Sequence, residues 1–225
     1  MKILVINPIG TDIYNKSDYD YFKQKAANNT TIKVVSLKKG PNAITNFESE
    51  IENCPEILDI LKTETYDAAI INCFGNPCID AAKEVSDKIV VGPGEAALYL
   101  SLLLGDSIAI ITPTEKIVPL VMMNVRKMGI EKRVNVIKSV NIDVEALNND
   151  QKITSAAILK EAIDCVKNYK SDVVVLGCTG MAYVADQIKA KIPVPLIEPA
   201  AAALKVAELL YSLNLKQSKY LIYKA

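Results

Sequence analysis

The sequence predicts an α/β protein of two pseudo-symmetric, doubly wound parallel-sheet halves, with a site in the cleft between them. Three observations carry this expectation. Short β-branched runs alternate with longer amphipathic segments, the pattern of parallel strands joined by crossover helices. The strand-like runs fall into two sets of four, and the second set repeats the first at a fixed offset.

Taken in order, the first four runs lie at 2–7, 31–37, 68–73 and 88–92, and the second four at 107–112, 134–140, 173–178 and 194–197. The opening run ends on Asn7-Pro8, and the fifth ends on Thr112-Pro113, 105 residues later. Helical segments are expected at 17–28, 48–63, 79–86, 95–104, 116–128, 152–168, 182–189 and 200–213. The same 105-residue offset carries Asp67 onto Asp172, Cys73 onto Cys178 and Gly75 onto Gly180. One residue of insertion later, Pro93 falls on Pro199. Residues 1–95, rejoined by 206–225, are therefore expected to form one domain, and residues 96–205 the other.

With 225 residues, half of them apolar, the chain can bury a substantial core. Lys+Arg and Asp+Glu balance at 26 each, and no basic run or arm is present. Binding to nucleic acid or to an acidic membrane surface is therefore not expected, and a small-molecule partner fits better. Four apolar residues, Ile3 to Ile6, are too few for a signal-peptide core, and no run approaches a membrane span. A cytoplasmic protein is expected, with its five cysteines as reduced thiols rather than a disulfide framework. Histidine is absent. The commonest metal ligand and the commonest general base are thus both missing, which leaves proton transfer to carboxylates, lysine, tyrosine or cysteine.

In an open parallel sheet, ligands bind outside the carboxyl ends of the strands. Each half offers one such end with a cysteine in it, at Cys73 and at Cys178. If the halves face one another about a pseudo-twofold axis, two thiols approach one carbon from opposite sides, the arrangement needed to invert a C–H stereocentre. A helix N-terminus after each thiol is expected to favour the thiolate. Gly75 and Gly180, two residues past the thiols, let the turn bring backbone N–H groups to the sulfur or to a developing oxyanion.

The stretches INCFGNPCIDAAKE (71–84), VGPGEAA (91–97), VLGCTGMA (175–182) and VPLIEPAAAALK (194–205) resemble the hydantoin and allantoin racemases of the aspartate/glutamate racemase superfamily. The resemblance implies Cys73 and Cys178 as the catalytic pair, no cofactor, no metal and a homo-oligomer. It also implies racemisation at Cα of a 5-substituted hydantoin or of allantoin. Amino-acid racemases of the superfamily typically follow the first cysteine with Asn-Thr and the second with Thr-His; here Phe74-Gly75 and Thr179-Gly180 follow. The amino-acid branch is the alternative within the same fold. A non-catalytic thiol sensor or small-molecule binding module, with Cys73 and Cys78 forming a regulated disulfide, is the alternative of another class. The chain departs from the hydantoin racemase pattern at Ile9-Gly10, at Asn76 and at Cys78, positions that bear on the substrate.

Asn7, Phe74, Gly75, Asn76, Thr112, Thr179 and Gly180 are the candidate substrate-binding residues around the pair. For Asn7, Thr112 and Thr179, contact with ring carbonyls and capping or turn hydrogen bonds stand as equal readings. For Asn76, N-capping of the next helix competes with substrate contact. Cys54 and Cys165 are expected to be core or boundary residues. Glu198 reads as an acid favoured by a helix start, and Gly177 has no counterpart in the first half, where Asn72 stands.

Overall fold

In the first half of the chain, aliphatic runs too short to bury themselves pair side by side. Strands β1 (Lys2–Asn7), β2 (Thr31–Ser36), β3 (Ala68–Ile71) and β4 (Ile89–Val91) form a parallel sheet in the order β2-β1-β3-β4. The structure is a computed structural model that describes residues 1–224. Helices α1 (Asn15–Lys25), α2 (Phe47–Glu52), α3 (Cys54–Thr63), α4 (Ile79–Val85) and α5 (Pro93–Ser101) follow these strands. In the second half, β5 (Ile108–Thr112), β6 (Val134–Ser139), β7 (Val173–Leu176) and β8 (Leu196–Ile197) form a second parallel sheet, ordered β6-β5-β7-β8. Helices α6 (Val118–Lys127), α7 (Gln151–Tyr169), α8 (Ala182–Lys189) and α9 (Pro199–Ser212) follow these strands in turn. The central strands β3 and β7 read AAII and VVVL, and every residue in them is buried. A parallel strand covered by helices on both faces needs no polar face, which is why these runs are continuous rather than alternating.

The chain forms two compact units, one of Met1–Pro93 with the segment from Ala200 onward, the other of Gly94–Pro199. Both crossings fall at the first residues of helices, at the two prolines that the repeat superposes. Glu208 of α9 accepts hydrogen bonds from the Ala27 backbone N–H (2.8 Å) and from Thr30 Oγ1 (2.9 Å). The segment rejoining the first unit starts at Ala200, ahead of the expected residue 206.

The repeat extends to individual hydrogen bonds. β1 pairs with β3 in the register Ile3–Ala68 to Ile6–Ile71, and β5 with β7 in the register Ile108–Val173 to Ile111–Leu176. Asp67 Oδ2 accepts from the Lys2 backbone N–H (2.7 Å), and Asp172 Oδ2 from that of Ser107 (3.1 Å). Beyond the strand ends, Asn72 N–H donates to Ile6 O (2.8 Å) and Gly177 N–H to Ile111 O (2.7 Å). Each of these atoms has its repeat equivalent 105 residues away.

Three features differ from the sequence expectation. The helix predicted over 48–63 is interrupted between α2 and α3, because Pro55 has no N–H to donate into a continuous ladder. Residues 220–223, which read from sequence equally as an edge strand or a helix end, form an exposed turn. Just before it, the Gln217 side chain accepts from Val90 N–H (3.0 Å) and donates to Val90 O (2.9 Å), occupying backbone groups that an edge strand would otherwise leave open. Finally, Cys54 and Cys78 form a disulfide with their Cα atoms 5.2 Å apart, so the expectation that all five cysteines are reduced thiols fails for these two. Cys73, Cys165 and Cys178 lie outside this disulfide and keep their thiols.

The disulfide joins the starts of α3 and α4 across a sequence separation of 24. Closing a loop of that length in the unfolded chain is worth about 3 kcal/mol. Cys54→Ser is therefore expected to lower unfolding free energy by about 3 kcal/mol, and reductant should do the same to the unmutated chain. Urea denaturation with and without reductant checks this: an unshifted midpoint would show that the bond contributes no stability.

Candidate active site

β3 delivers the first thiol and β7 the second, each two residues past the last strand residue. Both loops turn the same way: Asn76 N–H donates to Cys73 O (3.1 Å), and Met181 N–H, its repeat equivalent, donates to Cys178 O (3.2 Å).

In the first loop, Asn76 and Cys78 adopt left-handed backbone (φ 54° and 59°). Asparagine tolerates this conformation because its short polar side chain bonds locally. The residue at the start of α4 is Cys78, with no side-chain capping bond, so Asn76 is not the cap of that helix. Its buried side chain lies instead against Gly92, where any Cβ would collide with the Asn76 amide. Cys78 is bonded to Cys54 and not to Cys73, which removes the Cys73–Cys78 pairing on which the sensor alternative rests. Phe74 is buried (3 % exposed).

Asn7 is buried, and its polar atoms are engaged. The amide donates to Asn15 Oδ1 (3.0 Å) and Asp18 Oδ2 (2.8 Å), while Oδ1 accepts from Asn72 Nδ2 (2.9 Å). Asn7 thereby orients the residue before Cys73. Thr112 is likewise fully buried, with its hydroxyl directed at the carbonyls of Thr114 and Lys138 (both 3.2 Å). These are turn hydrogen bonds, one of the two readings the sequence allows for this residue.

Glu50, on α2, reaches the first loop although nothing in the sequence marks it. A Cβ on Gly75 would sit 2.8 Å from Glu50 Oε1 and 3.7 Å from Cys73 Sγ, so carboxylate and thiol lie against the same side of this glycine. Burial raises the Glu50 carboxyl above the ordinary carboxylate range.

In the second loop, a Cβ on Gly177 would stand 3.0 Å from Ile111 O and from Thr112 Cγ2. Gly177 is thus where the chain leaving β7 passes closest to β5, the role the sequence left open. Thr179, Gly180 and Met181 form a 3-10 turn ahead of α8. The thiol departs from expectation. Part of Cys178 reaches solvent, yet desolvation of its surroundings pushes its pKa up to about 11, and the Glu198 carboxylate adds to the rise. Backbone N–H groups of Gly180 and Met181 bond toward the sulfur and pull the other way, but burial outweighs them. At neutral pH Cys178 is a thiol, not the thiolate that a helix start alone would favour. Cys165, fully buried on the core face of α7, is also pushed up to about 11, chiefly by burial.

Among the described residues no group of three His, Cys, Asp or Glu side chains is placed to hold a metal ion, and no helix is long and apolar enough to cross a membrane. Two equivalent strand-end thiols on a duplicated α/β framework, each followed by a turn of backbone N–H groups, suit acid/base chemistry at carbon.

Residues 3–207 match the model of the Asp/Glu/Hydantoin racemase family. The chain belongs to this family and is an isomerase, a racemase. It is 33 % identical to a hydantoin racemase of Pseudomonas sp. (strain NS671), over 100 % of this chain and 91 % of that one. With a hydantoin racemase of Paenarthrobacter aurescens the figures are 32 %, 97 % and 94 %. An allantoin racemase structure from Klebsiella pneumoniae superposes with a TM-score of 0.94 at 26 % identity, covering 99 % of this chain and 92 % of that one. A glutamate racemase from Francisella tularensis, 17 % identical with a TM-score of 0.69, shares the fold.

Proposed function

We propose that this racemase inverts the Cα stereocentre of a 5-substituted hydantoin or of allantoin without a cofactor, with Cys73 and Cys178 exchanging the proton on opposite faces of the carbon. The observation that carries the reading is the equivalence of the two thiols in strand, turn and hydrogen-bond register, in a chain related to hydantoin racemases along its length. In one direction Cys73, as thiolate, takes the Cα proton. The electron pair delocalises into the adjacent ring carbonyl, whose oxygen gains charge that backbone N–H groups of the loops can stabilise. The Cys178 thiol, neutral at rest, supplies a proton from the other face. The enzyme then holds a Cys73 thiol and a Cys178 thiolate, the form that runs the reaction in reverse, and the two titrate as a coupled pair.

A cyclic imide-like substrate suits these loops better than an amino acid. Phe74, Gly75 and Gly180 stand where the amino-acid branch typically has polar residues, and the first loop (72–76) carries no cationic side chain for an α-carboxylate. Proton NMR in heavy water, following Cα–H exchange over hydantoins, allantoin and free amino acids, tests the reading. Exchange of a hydantoin or allantoin is the expected outcome. Exchange confined to amino acids would move the enzyme to the other branch of the superfamily.

A further inference from the structure

We propose that the Glu50 carboxylate is a specificity-determining acceptor for the substrate N–H adjacent to the reacting carbon; this rests on the hydantoin or allantoin reading above. Three observations converge on it.

The first is placement. Glu50 Oε1 and Cys73 Sγ flank the same side of Gly75, at 2.8 and 3.7 Å from the position its Cβ would take. A ligand whose Cα–H reaches the thiol therefore carries the neighbouring ring atom toward the carboxylate. In a hydantoin that neighbour is a ring N–H, bonded directly to the stereocentre. In allantoin the stereocentre bears both a ring N–H and the ureido N–H. A carboxylate can accept from either.

The second is fixation. Helix α2 is short, yet it is held at both ends. Asn46 and Ser49 form a capping box at its start, Ser49 N–H donating to Asn46 Oδ1 at 2.8 Å. At its end, the buried Asn53 amide donates to Pro8 O (2.7 Å), and the Cys54–Cys78 disulfide ties the next residue to the far end of the Cys73 loop. The carboxylate is thus held in register with the thiol, not carried on a loose surface turn.

The third is an unmet demand. Glu50 is half-buried, and among the described residues its carboxylate receives no hydrogen bond and no ion pair; burial alone perturbs it. A partly desolvated acceptor that no protein group serves is favoured by a ligand that brings an N–H. Other acids of the unit have such partners: Glu208 is bonded to Ala27, Thr30 and Lys205.

The test compares kcat/KM by polarimetry for a 5-substituted hydantoin and for its analogue methylated at the ring nitrogen next to C5. The unmutated enzyme, Glu50→Gln and Glu50→Ala are each measured on both. Loss of a charge-assisted hydrogen bond lowers kcat/KM for the parent compound about 10- to 100-fold in Glu50→Ala. Glu50→Gln, which keeps shape and a neutral acceptor, loses less. The methylated analogue has no donor to lose, so Glu50→Ala changes it by less than about threefold. Where the analogue is not turned over, its inhibition constant serves for the same comparison. Equal losses on both compounds, or a parent substrate unaffected by Glu50→Ala, would overturn the assignment while leaving the thiol mechanism standing. An unmutated enzyme that exchanges no hydantoin and no allantoin would remove both proposals together.

Discussion

Replacing either Cys73 or Cys178 by serine is expected to lower racemisation at least about 1000-fold, the scale of losing a positioned acid or base in the transition state. Serine preserves size and hydrogen bonding but not acidity, so neither the proton abstraction nor its microscopic reverse proceeds at a useful rate. The two enantiomers are equal in free energy and interconvert over the same highest barrier, so kcat/KM must fall equally for both, whichever thiol is lost. What separates the variants is exchange without inversion. The surviving thiolate can still remove and return the proton on its own face. Each variant should therefore wash deuterium into only one enantiomer, and the two variants into opposite ones. Chiral chromatography combined with mass spectrometry in heavy water reads both quantities. Full racemase activity in either variant would exclude the two-thiol mechanism.

Raising the pH from about 8 to about 10 should increase the alkylation rate of Cys178 about 100-fold, because the thiolate is the nucleophile and its fraction rises tenfold per unit below the pKa. The sign follows from burial: desolvation disfavours the charged sulfur and moves the Cys178 thiol up to about 11. Cys165, raised equally but sealed in the core, should stay unlabelled until the protein unfolds, an internal reference in the same sample. Peptide mapping after timed exposure to iodoacetamide makes the measurement. A Cys178 rate that levels off below about pH 9 would mean that the Gly180 and Met181 N–H groups dominate over burial.

The strand runs, their grouping in fours and the 105-residue offset were legible because parallel strands covered on both faces must be written as continuous apolar runs. Those runs reappear as β1 to β8, with ends trimmed by a residue or two. Cys73 and Cys178 could be found for a related reason: the repeat is local in sequence on each side, so two strand-end thiols at equal offset stand out without any three-dimensional information. The break at Asn53 was marked too, since Pro55 interrupts any helical ladder, but apolar periodicity across 48–63 masked it.

Other features left no such mark. Asn7 and Thr112 are equally compatible in sequence with ligand contact and with turns, and the partners of their polar atoms are visible only in the folded chain. The Cys54–Cys78 bond links two helix starts that are brought together by the packing of α3 and α4. Glu50 belongs to a third class: an ordinary acid on a short helix, distinguished only by lying against Gly75 on the side of the Cys73 thiol.

The sequence by itself thus determined the duplicated α/β framework and the pair of thiols, because both follow from periodic burial along the chain. The tertiary structure alone decided how those thiols are tuned and what surrounds them. Desolvation, the reach of Glu198 and Glu50, and the closure of the disulfide depend on distances between residues far apart in sequence, and no local pattern encodes those distances.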